Sequence, residues 1–267
     1  MKLLCIGEKI NSSRKEIKEA IERSDKSLIQ KIAREQAEAG AHYLDVNAGL
    51  FMEREPEKLR WVVETVQKAV DRPCCLDSPN PLALEAALKV HRGQALLNSI
   101  SLEKERFHSI LPLVREFGTR IVALCLDDGG MPKDAHDRFH LASLLIERLT
   151  KEGIAPHEIY VDPLVQPMAT DHSLGPVILD SIEKIKTAFP EVHVICGLSN
   201  ISFGLPQRKL LNQVFLVLAL AKGLDAAILD PTDPGAISCL RAVQVLLGQD
   251  PFCSQYLHAF RQGRLNF

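Results

Sequence analysis

Short apolar runs alternate with longer segments of helical period along the whole chain. The runs have the length and the aliphatic content of buried strands, and there are eight of them. Buried strands that alternate with helices indicate a parallel sheet with crossover helices. The predicted strands are LLCIG from Leu3, YLDVN from Tyr43, CCLD from Cys74, ALLNS from Ala95, IVALCL from Ile121, IYVDP from Ile159, HVICGLS from His193 and AAILD from Ala226.

The segments between these runs have helical spacing. In SLIQKIAREQAEAG, Ile29, Ile32 and Ala33 repeat at three-to-four spacing, and Gly40 is placed to end the helix. Eight strand-helix units in 267 residues favour a closed barrel over a doubly wound sheet, which would carry a GxGxxG fingerprint after its first strand. We therefore predict an α/β protein with a (β/α)₈ TIM barrel fold, as a single domain over residues 1-267.

Charge and composition exclude several classes of protein. Lys and Arg number 32 against 34 Asp and Glu, so the chain lacks the positive field that a nucleic-acid partner requires. The longest apolar run, 214–221, is far shorter than a membrane span of roughly 20 residues. Glu8 and Lys9 interrupt the N-terminus before a signal peptide could form. Most of the cysteines lie inside apolar runs, as reduced thiols do. We expect a cytoplasmic protein.

One predicted helix, LLNQVFLVLALAKG, is apolar on nearly every face, whereas an outer helix of a barrel normally has a solvated side. We expect a homodimer to bury this helix. The alternative is that the C-terminal segment covers it, because Phe252, Tyr256 and Phe260 share one helical face.

Polar side chains stand where the predicted strands end. In a barrel, the loops after the strands converge around one mouth, which carries the functional groups. Asp and Asn also cap helices, but Asp45, Asp77, Asn98 and Asp162 lie too far before the next helix to be simple caps. Together they favour a binding site. The polar residues at the strand ends are Glu8, Asn11, Asp45, Asn47, Asp77, Asn80, Asn98, Asp127, Asp128, Asp162, Ser199, Asn200 and Asp230.

This set of side chains suits a neutral heterocycle with N–H and C=O groups, such as a pterin or a purine. It does not suit a phosphate ester, because Lys9 is the only cation at the strand ends. His136 and His140 could bind a metal, but their segment resembles a solvated loop and helix start, so we expect no metal. The same segment begins like a DxHxxG corrinoid-ligand motif, but Phe139 replaces the glycine, so we expect no corrinoid bound to this chain.

Six motifs in order resemble those of the pterin-binding methyltransferases. They are GEKIN at 7–11, LDVNAG at 44–49, CLDS at 75–78, LLNS at 96–99, YVDPL at 160–164 and GLSNISFG at 197–204. The family includes methyltetrahydrofolate:corrinoid/iron-sulfur-protein methyltransferase and the folate module of cobalamin-dependent methionine synthase. The resemblance covers nearly the whole chain.

The resemblance implies a TIM barrel, usually a homodimer, that moves a methyl group between N5 of tetrahydrofolate and the cobalt of a corrinoid. We expect a separate corrinoid protein to carry the corrinoid, with tetrahydrofolate or 5-methyltetrahydrofolate as the other substrate. By resemblance, Asp77, Asn98 and Asp162 bind the pterin ring and Asn200 approaches N5, so that Asn200 and Asp162 are the catalytic candidates. The residues assigned to the supporting shell of the site are Glu8, Asp45, Asn47, Ser199 and Arg208.

Two positions depart from the family pattern. Lys9 stands where these enzymes commonly have arginine, and Phe203 follows the methionine-synthase version of its motif. These departures leave open which corrinoid protein binds and in which direction the methyl group flows. Two alternatives also stay open. One is an enzyme like dihydropteroate synthase, although the segment ILDPTDPGA lacks the cations that would bind a diphosphate. The other is a folate-binding module without activity.

Overall fold

The first strand pairs with both the second and the eighth, and this closes the sheet into a barrel. The computed structural model describes residues 3–265. All neighbouring strands are parallel, and Leu4 of the first strand lies opposite Ala226 of the last. The predicted (β/α)₈ barrel is therefore confirmed. The strands are β1 Leu4–Asn11, β2 Tyr43–Asn47, β3 Cys74–Asp77, β4 Leu96–Ile100, β5 Arg120–Leu124, β6 Ile159–Asp162, β7 His193–Gly197 and β8 Ala226–Leu229.

Helices cover the outside of the barrel. Their first residues follow the expected capping chemistry: the Asp25 side chain accepts from the backbone of Ser27 and Leu28, and Asn80 accepts from Leu82. Within residues 3–265 the α-helices are α1 Lys15–Arg23, α2 Lys26–Glu38, α3 Glu55–Gln67, α4 Pro81–Leu88, α5 Lys104–Phe117, α6 Ala135–Lys151, α7 Leu174–Ala188, α8 Arg208–Ala221, α9 Pro234–Leu246 and α10 Ser254–Arg261. None of these described helices is long and apolar enough to span a bilayer.

One buried residue from each strand fills the centre of the barrel. This layer consists of Ile6, Tyr43, Cys75, Leu96, Val122, Tyr160, Ile195 and Ala226. At the N-terminal end of the strands, the Arg120 guanidinium donates to the hydroxyls of Tyr43 and Tyr160, at 3.2 and 3.4 Å. Packed side chains thus close this N-terminal end of the barrel among the described residues.

Helix α8 keeps an uncovered apolar face. Leu210, Val214 and Leu218, spaced by one helical turn, are 60%, 49% and 47% exposed. The C-terminal helix α10 packs on α9, and Phe252 and Phe260 remain exposed. The C-terminal segment therefore does not cover α8, and the homodimer stays a prediction.

Candidate active site

A second layer of side chains lies directly above the central one. Side chains on one face of a strand recur every two residues, so the residue two positions after each central residue also points into the barrel, towards its open end. These eight residues are Glu8, Asp45, Asp77, Asn98, Leu124, Asp162, Gly197 and Ile228. All of them line a cavity of about 460 Å³ at the mouth. Five of the eight are polar, so the change from an apolar to a polar layer marks the floor of a binding site.

Residues from the loops complete the wall of this cavity. Asn200 and Ser199 come from the turn after β7, and Leu164 and Val165 come from the loop after β6. Each residue predicted to bind the pterin, Asp77, Asn98, Asp162 and Asn200, lies in this wall. The cavity has the size and the polar lining that suit a small heterocyclic ligand.

Burial raises the pKa of every carboxyl group in the cavity. The pKa of Asp45 lies well above its ordinary range, first because of burial and then because Asp77 is close. Hydrogen bonds to Cys75 and Asn98 only partly offset that rise. Burial raises the pKa of Asp162 to about 7, against a hydrogen bond from the backbone of Leu164. Protonated carboxyls both donate and accept hydrogen bonds, as the edge of a pterin requires.

Asp77 is fixed by a chain of side chains from β1 and β2. The Asn47 amide donates to Asp77 Oδ2 at 3.0 Å, and the Ser12 hydroxyl donates to Asn47 Oδ1 at the same distance. The backbone N–H of Gly49 also donates to Asn47 Oδ1. These two donors fix the oxygen end of the Asn47 amide, so its N–H₂ end is directed at Asp77. This hydrogen bond lowers the pKa of Asp77, but burial has the larger effect and leaves the pKa raised.

The turn that carries Asn200 is tied to two other parts of the mouth. Ser199 Oγ donates to Glu8 Oε2 at 3.1 Å, which links the turn to β1. Arg208 donates to the Ser199 carbonyl at 2.8 Å and to Ser202 Oγ at 3.1 Å. Arg14 also contacts Glu8, and burial outweighs its charge, so the pKa of Glu8 is raised. The predicted supporting residues Glu8, Ser199 and Arg208 thus form one connected group.

Gly197 allows Asn200 to reach over the end of β7. A Cβ atom at position 197 would lie 3.1 Å from Asn200 Nδ2, closer than side chains tolerate without a shift. The amide of Asn200 is exposed at the opening of the cavity. Asn200 therefore presents a hydrogen-bonding group at the rim of the cavity.

Several polar residues from the sequence lie outside the cavity. Asn80 caps α4, and Asp230 accepts from Thr232 and lies 3.9 Å from Lys9 Nζ. Asp134 caps α6 through the backbone of His136 and Asp137, which accounts for the Asp-x-His spacing. The described residues contain no group of three side chains placed to hold a metal ion.

Some contributors to the site were not predicted. Buried Glu55 accepts from Ser78 Oγ at 2.6 Å and so fixes the turn after β3. The Arg106 guanidinium donates to the Ser99 carbonyl at 2.9 Å, and its charge favours ionised Asp77. Both residues lie in helical segments where charged side chains usually face solvent, so the sequence pattern gave no signal for them.

Residues 8–230 match a family described as pterin binding enzymes. The chain belongs to the pterin-binding enzyme family. Methylcorrinoid:tetrahydrofolate methyltransferase of Eubacterium limosum is 38% identical over 98% of both chains. Methionine synthase of Mycobacterium tuberculosis is 31% identical over 85% of this chain. The matched region makes up about 20% of the length of that methionine synthase.

Solved structures of other proteins have the same fold. Dihydropteroate synthase of Xanthomonas albilineans with 4-aminobenzoic acid superimposes with a TM-score of 0.74 over 92% of this chain and 93% of that one. The identity is 18%, so this likeness establishes the fold alone.

Proposed function

We propose that this pterin-binding enzyme is a methyltransferase that moves a methyl group between N5 of tetrahydrofolate and the cobalt of a corrinoid carried by a separate protein. The observation that carries the proposal is the full-length similarity to the Eubacterium limosum methyltransferase, 38% identical over 98% of each chain. The cavity supports it, because its carboxyl and amide groups suit a pterin ring.

Asp77, Asn98, Asp162 and Asn200 are proposed to bind the pterin. The carboxyl groups of Asp77 and Asp162 can accept from ring N–H groups and, when protonated, donate to ring nitrogen or carbonyl atoms. The amides of Asn98 and Asn200 can both donate and accept. Asp45 stands in the same ring of side chains, and its Oδ1 has no hydrogen-bond partner among the described protein atoms. We propose that Asn47 supports the ring-binding groups through its hydrogen bond to Asp77 and that Asp45 supports them from the same layer.

Asp162 and Asn200 are proposed to activate N5. Co(I) supplies the electron pair of the new Co–CH₃ bond as the N5–CH₃ bond breaks. The electron pair of the broken N5–CH₃ bond stays on N5. Protonation or a strong hydrogen bond at N5 makes this nitrogen a better leaving group. The raised pKa of Asp162, about 7, makes it a proton source at neutral pH, and Asn200 orients the proton. The reverse transfer uses the same groups.

The partners follow from the same proposal. A corrinoid protein has to bring its cobalt to the mouth of the barrel, where Asn200 lies. We place the protein in the cytoplasm and propose a homodimer that buries the apolar face of α8. No cofactor is needed on this chain, since folate and corrinoid are both substrates.

An anaerobic assay with free cobalamin tests the proposed function. Purified protein is mixed with methyltetrahydrofolate and cob(I)alamin, and in a second reaction with tetrahydrofolate and methylcob(III)alamin, while the cobalt spectrum is followed. Methyl transfer in both directions is expected. Tight folate binding in calorimetry without transfer to free cobalamin or to a corrinoid protein would indicate a binding module. Dihydropteroate formation from 4-aminobenzoate and the pterin diphosphate would instead indicate a synthase.

A further inference from the structure

Arg138 on α6 is a fully buried charge with no ion pair in the described part of the chain. Its side chain is 0% exposed, and no carboxylate lies within ion-pair distance of it. Burying a guanidinium is unfavourable unless hydrogen bonds replace its contacts with water. A residue of this kind therefore has a task that an apolar side chain could not perform.

The guanidinium of Arg138 connects the loops that follow β5 and β6. Arg138 Nε donates to the Pro163 carbonyl at 2.9 Å, and a terminal nitrogen donates to Gln166 Oε1 at 2.8 Å. The other terminal nitrogen donates to the carbonyls of Pro132 and Asp134, both at 3.2 Å. All four acceptors are neutral, so the charge fixes loop backbone and does not neutralise an acid.

One of these acceptors belongs to the peptide unit that contacts Asp162. The Pro163 carbonyl and the Leu164 N–H are the two ends of a single peptide group. That N–H donates to Asp162 Oδ1 at 2.8 Å. A charged donor on the carbonyl end polarises the peptide and strengthens the N–H as a donor. Arg138 and Asp162 are thus joined through one rigid, planar group.

The backbone at this point does not hold that geometry without help. Leu164 has a φ of 66°, in the left-handed region that residues with a Cβ rarely adopt. Such a conformation is strained for a residue with a Cβ and persists where surrounding contacts enforce it. The hydrogen bond from Arg138 to the preceding carbonyl is such a contact.

We propose that Arg138 is a positioning residue for Asp162, acting through the Pro163–Leu164 peptide. The guanidinium sets the direction of the Leu164 N–H, and this N–H holds the Asp162 carboxyl in the cavity and stabilises its ionised form. The catalytic use of Asp162 rests on the proposed function. The link between Arg138 and the Asp162 carboxyl does not depend on it.

Few other ionisable groups face this pair. Cys125 and Cys196 lie beside Asp162, and burial raises the pKa of both thiols. Asp134 and Asp137 are the carboxylates whose charge reaches Arg138 from α6, and backbone hydrogen bonds lower the pKa of Asp134. His136 lies close enough to Asp134 to lower the pKa of that carboxyl further.

The test measures the titration of Asp162 in the ligand-free, full-length protein. The protein is labelled with carboxyl-¹³C aspartate, and the Asp162 resonance is assigned by its loss in Asp162→Asn. The wild-type resonance should titrate near pH 7. In Arg138→Met, the midpoint of the Asp162 titration should rise by about one pH unit. The Leu164 N–H is then no longer strengthened and directed as a donor to the carboxylate.

Gln166→Ala is the matched control. It removes another acceptor of Arg138 on the same loop but keeps the link through Pro163. Its Asp162 midpoint should stay within about 0.3 unit of the wild-type value. A folded Arg138→Met with the wild-type midpoint overturns the proposal, and so does an equal shift in Gln166→Ala.

A second measurement covers the case in which Arg138→Met does not fold. The ¹⁵Nε resonance of Arg138 in the wild-type protein should show a step with the Asp162 midpoint, and Asp162→Asn should lack this step. A wild-type Arg138 resonance that stays flat while Asp162 titrates contradicts the proposal. A step that persists in Asp162→Asn arises from a group other than Asp162 and also contradicts the proposal. Neither measurement uses folate or corrinoid, so its outcome is separate from that of the proposed function.

Discussion

Individual carboxyl groups determine the chemistry of the cavity. Asp45, Asp77 and Asp162 would be ionised in water at neutral pH, but burial at the top of the barrel raises the pKa of each. The raised pKa values make these carboxyls easier to protonate than carboxyls in water. A cavity of this kind can match both donors and acceptors of a heterocycle, which a ring of fixed anions could not do.

The raised pKa of Asp162 predicts how stability depends on pH. The pKa is about 7 in the folded protein against a reference value of 3.8, so between these values the folded state binds this proton and the unfolded state does not. The free energy of unfolding should therefore fall as pH rises from about 4 to 7, by roughly 4 kcal/mol for this group alone.

Chemical denaturation of the wild-type protein and of Asp162→Asn measures this dependence. The variant lacks the titrating group, so the wild-type protein should lose stability relative to it as pH rises. The other carboxyls are common to both proteins and cancel in the comparison. A difference between the two proteins that is constant from pH 4 to 7.5 contradicts the assigned pKa.

At the scale of elements, the turn after β7 depends on Arg208 for its position. Arg208 uses two different nitrogens to hold Ser199 and Ser202, the residues on either side of Asn200 and Ile201. Arg208→Met should lower the rate of methyl transfer by about 10-fold or more, because misplacing a reacting group by a fraction of an ångström is costly. Stopped-flow measurement of the cobalt spectrum gives the rate.

Two further variants separate the contacts of Arg208 from its charge. Lys209→Met removes the neighbouring exposed charge and should leave the rate unchanged. Arg208→Lys should recover only part of the activity, because one ammonium group cannot reproduce a fork of two nitrogens. Full activity in Arg208→Met would show that the turn holds its shape without this residue.

The strands could be predicted from the sequence where they are apolar. Strands β2 and β3 have the expected starts because mainly apolar runs begin at Tyr43 and Cys74. Strand β1 was predicted to end near Gly7, but it continues to Asn11. Glu8 and Asn11 of this extension line the polar cavity, so the hydrophobic signal weakens where the site begins while the backbone pairing goes on.

Much of the site could be predicted for the same reason. The polar residues two positions beyond the central layer are visible as strand ends, which is how Asp45, Asp77, Asn98 and Asp162 were found. Arg138 could not be found, because its role depends on a loop that folds back onto α6. A buried arginine and a solvated one look the same in a helical pattern.

For the whole molecule, the uncovered face of α8 predicts a homodimer. Leu210, Val214 and Leu218 form one exposed stripe, and a second copy could bury it. Light scattering should give the mass of a dimer for the wild-type protein and of a monomer for Val214→Glu, because a buried, unpaired charge opposes association.

Leu246→Glu is the control for this prediction. Leu246 is 83% exposed at the end of α9 and does not belong to the stripe on α8, so this variant should remain a dimer. A wild-type protein that is monomeric at working concentration contradicts the homodimer. Circular dichroism of each variant confirms that the barrel is intact.

The most direct test of the central claim measures chemistry and binding on Asn200→Ala. The single-turnover rate from methyltetrahydrofolate to cob(I)alamin should fall by about 100-fold, while the calorimetric affinity for tetrahydrofolate changes by less than about 10-fold. Asn80→Ala, which removes a helix cap outside the cavity, should keep the wild-type rate. An unchanged rate in Asn200→Ala, or a wild-type protein that binds no folate, would contradict the account.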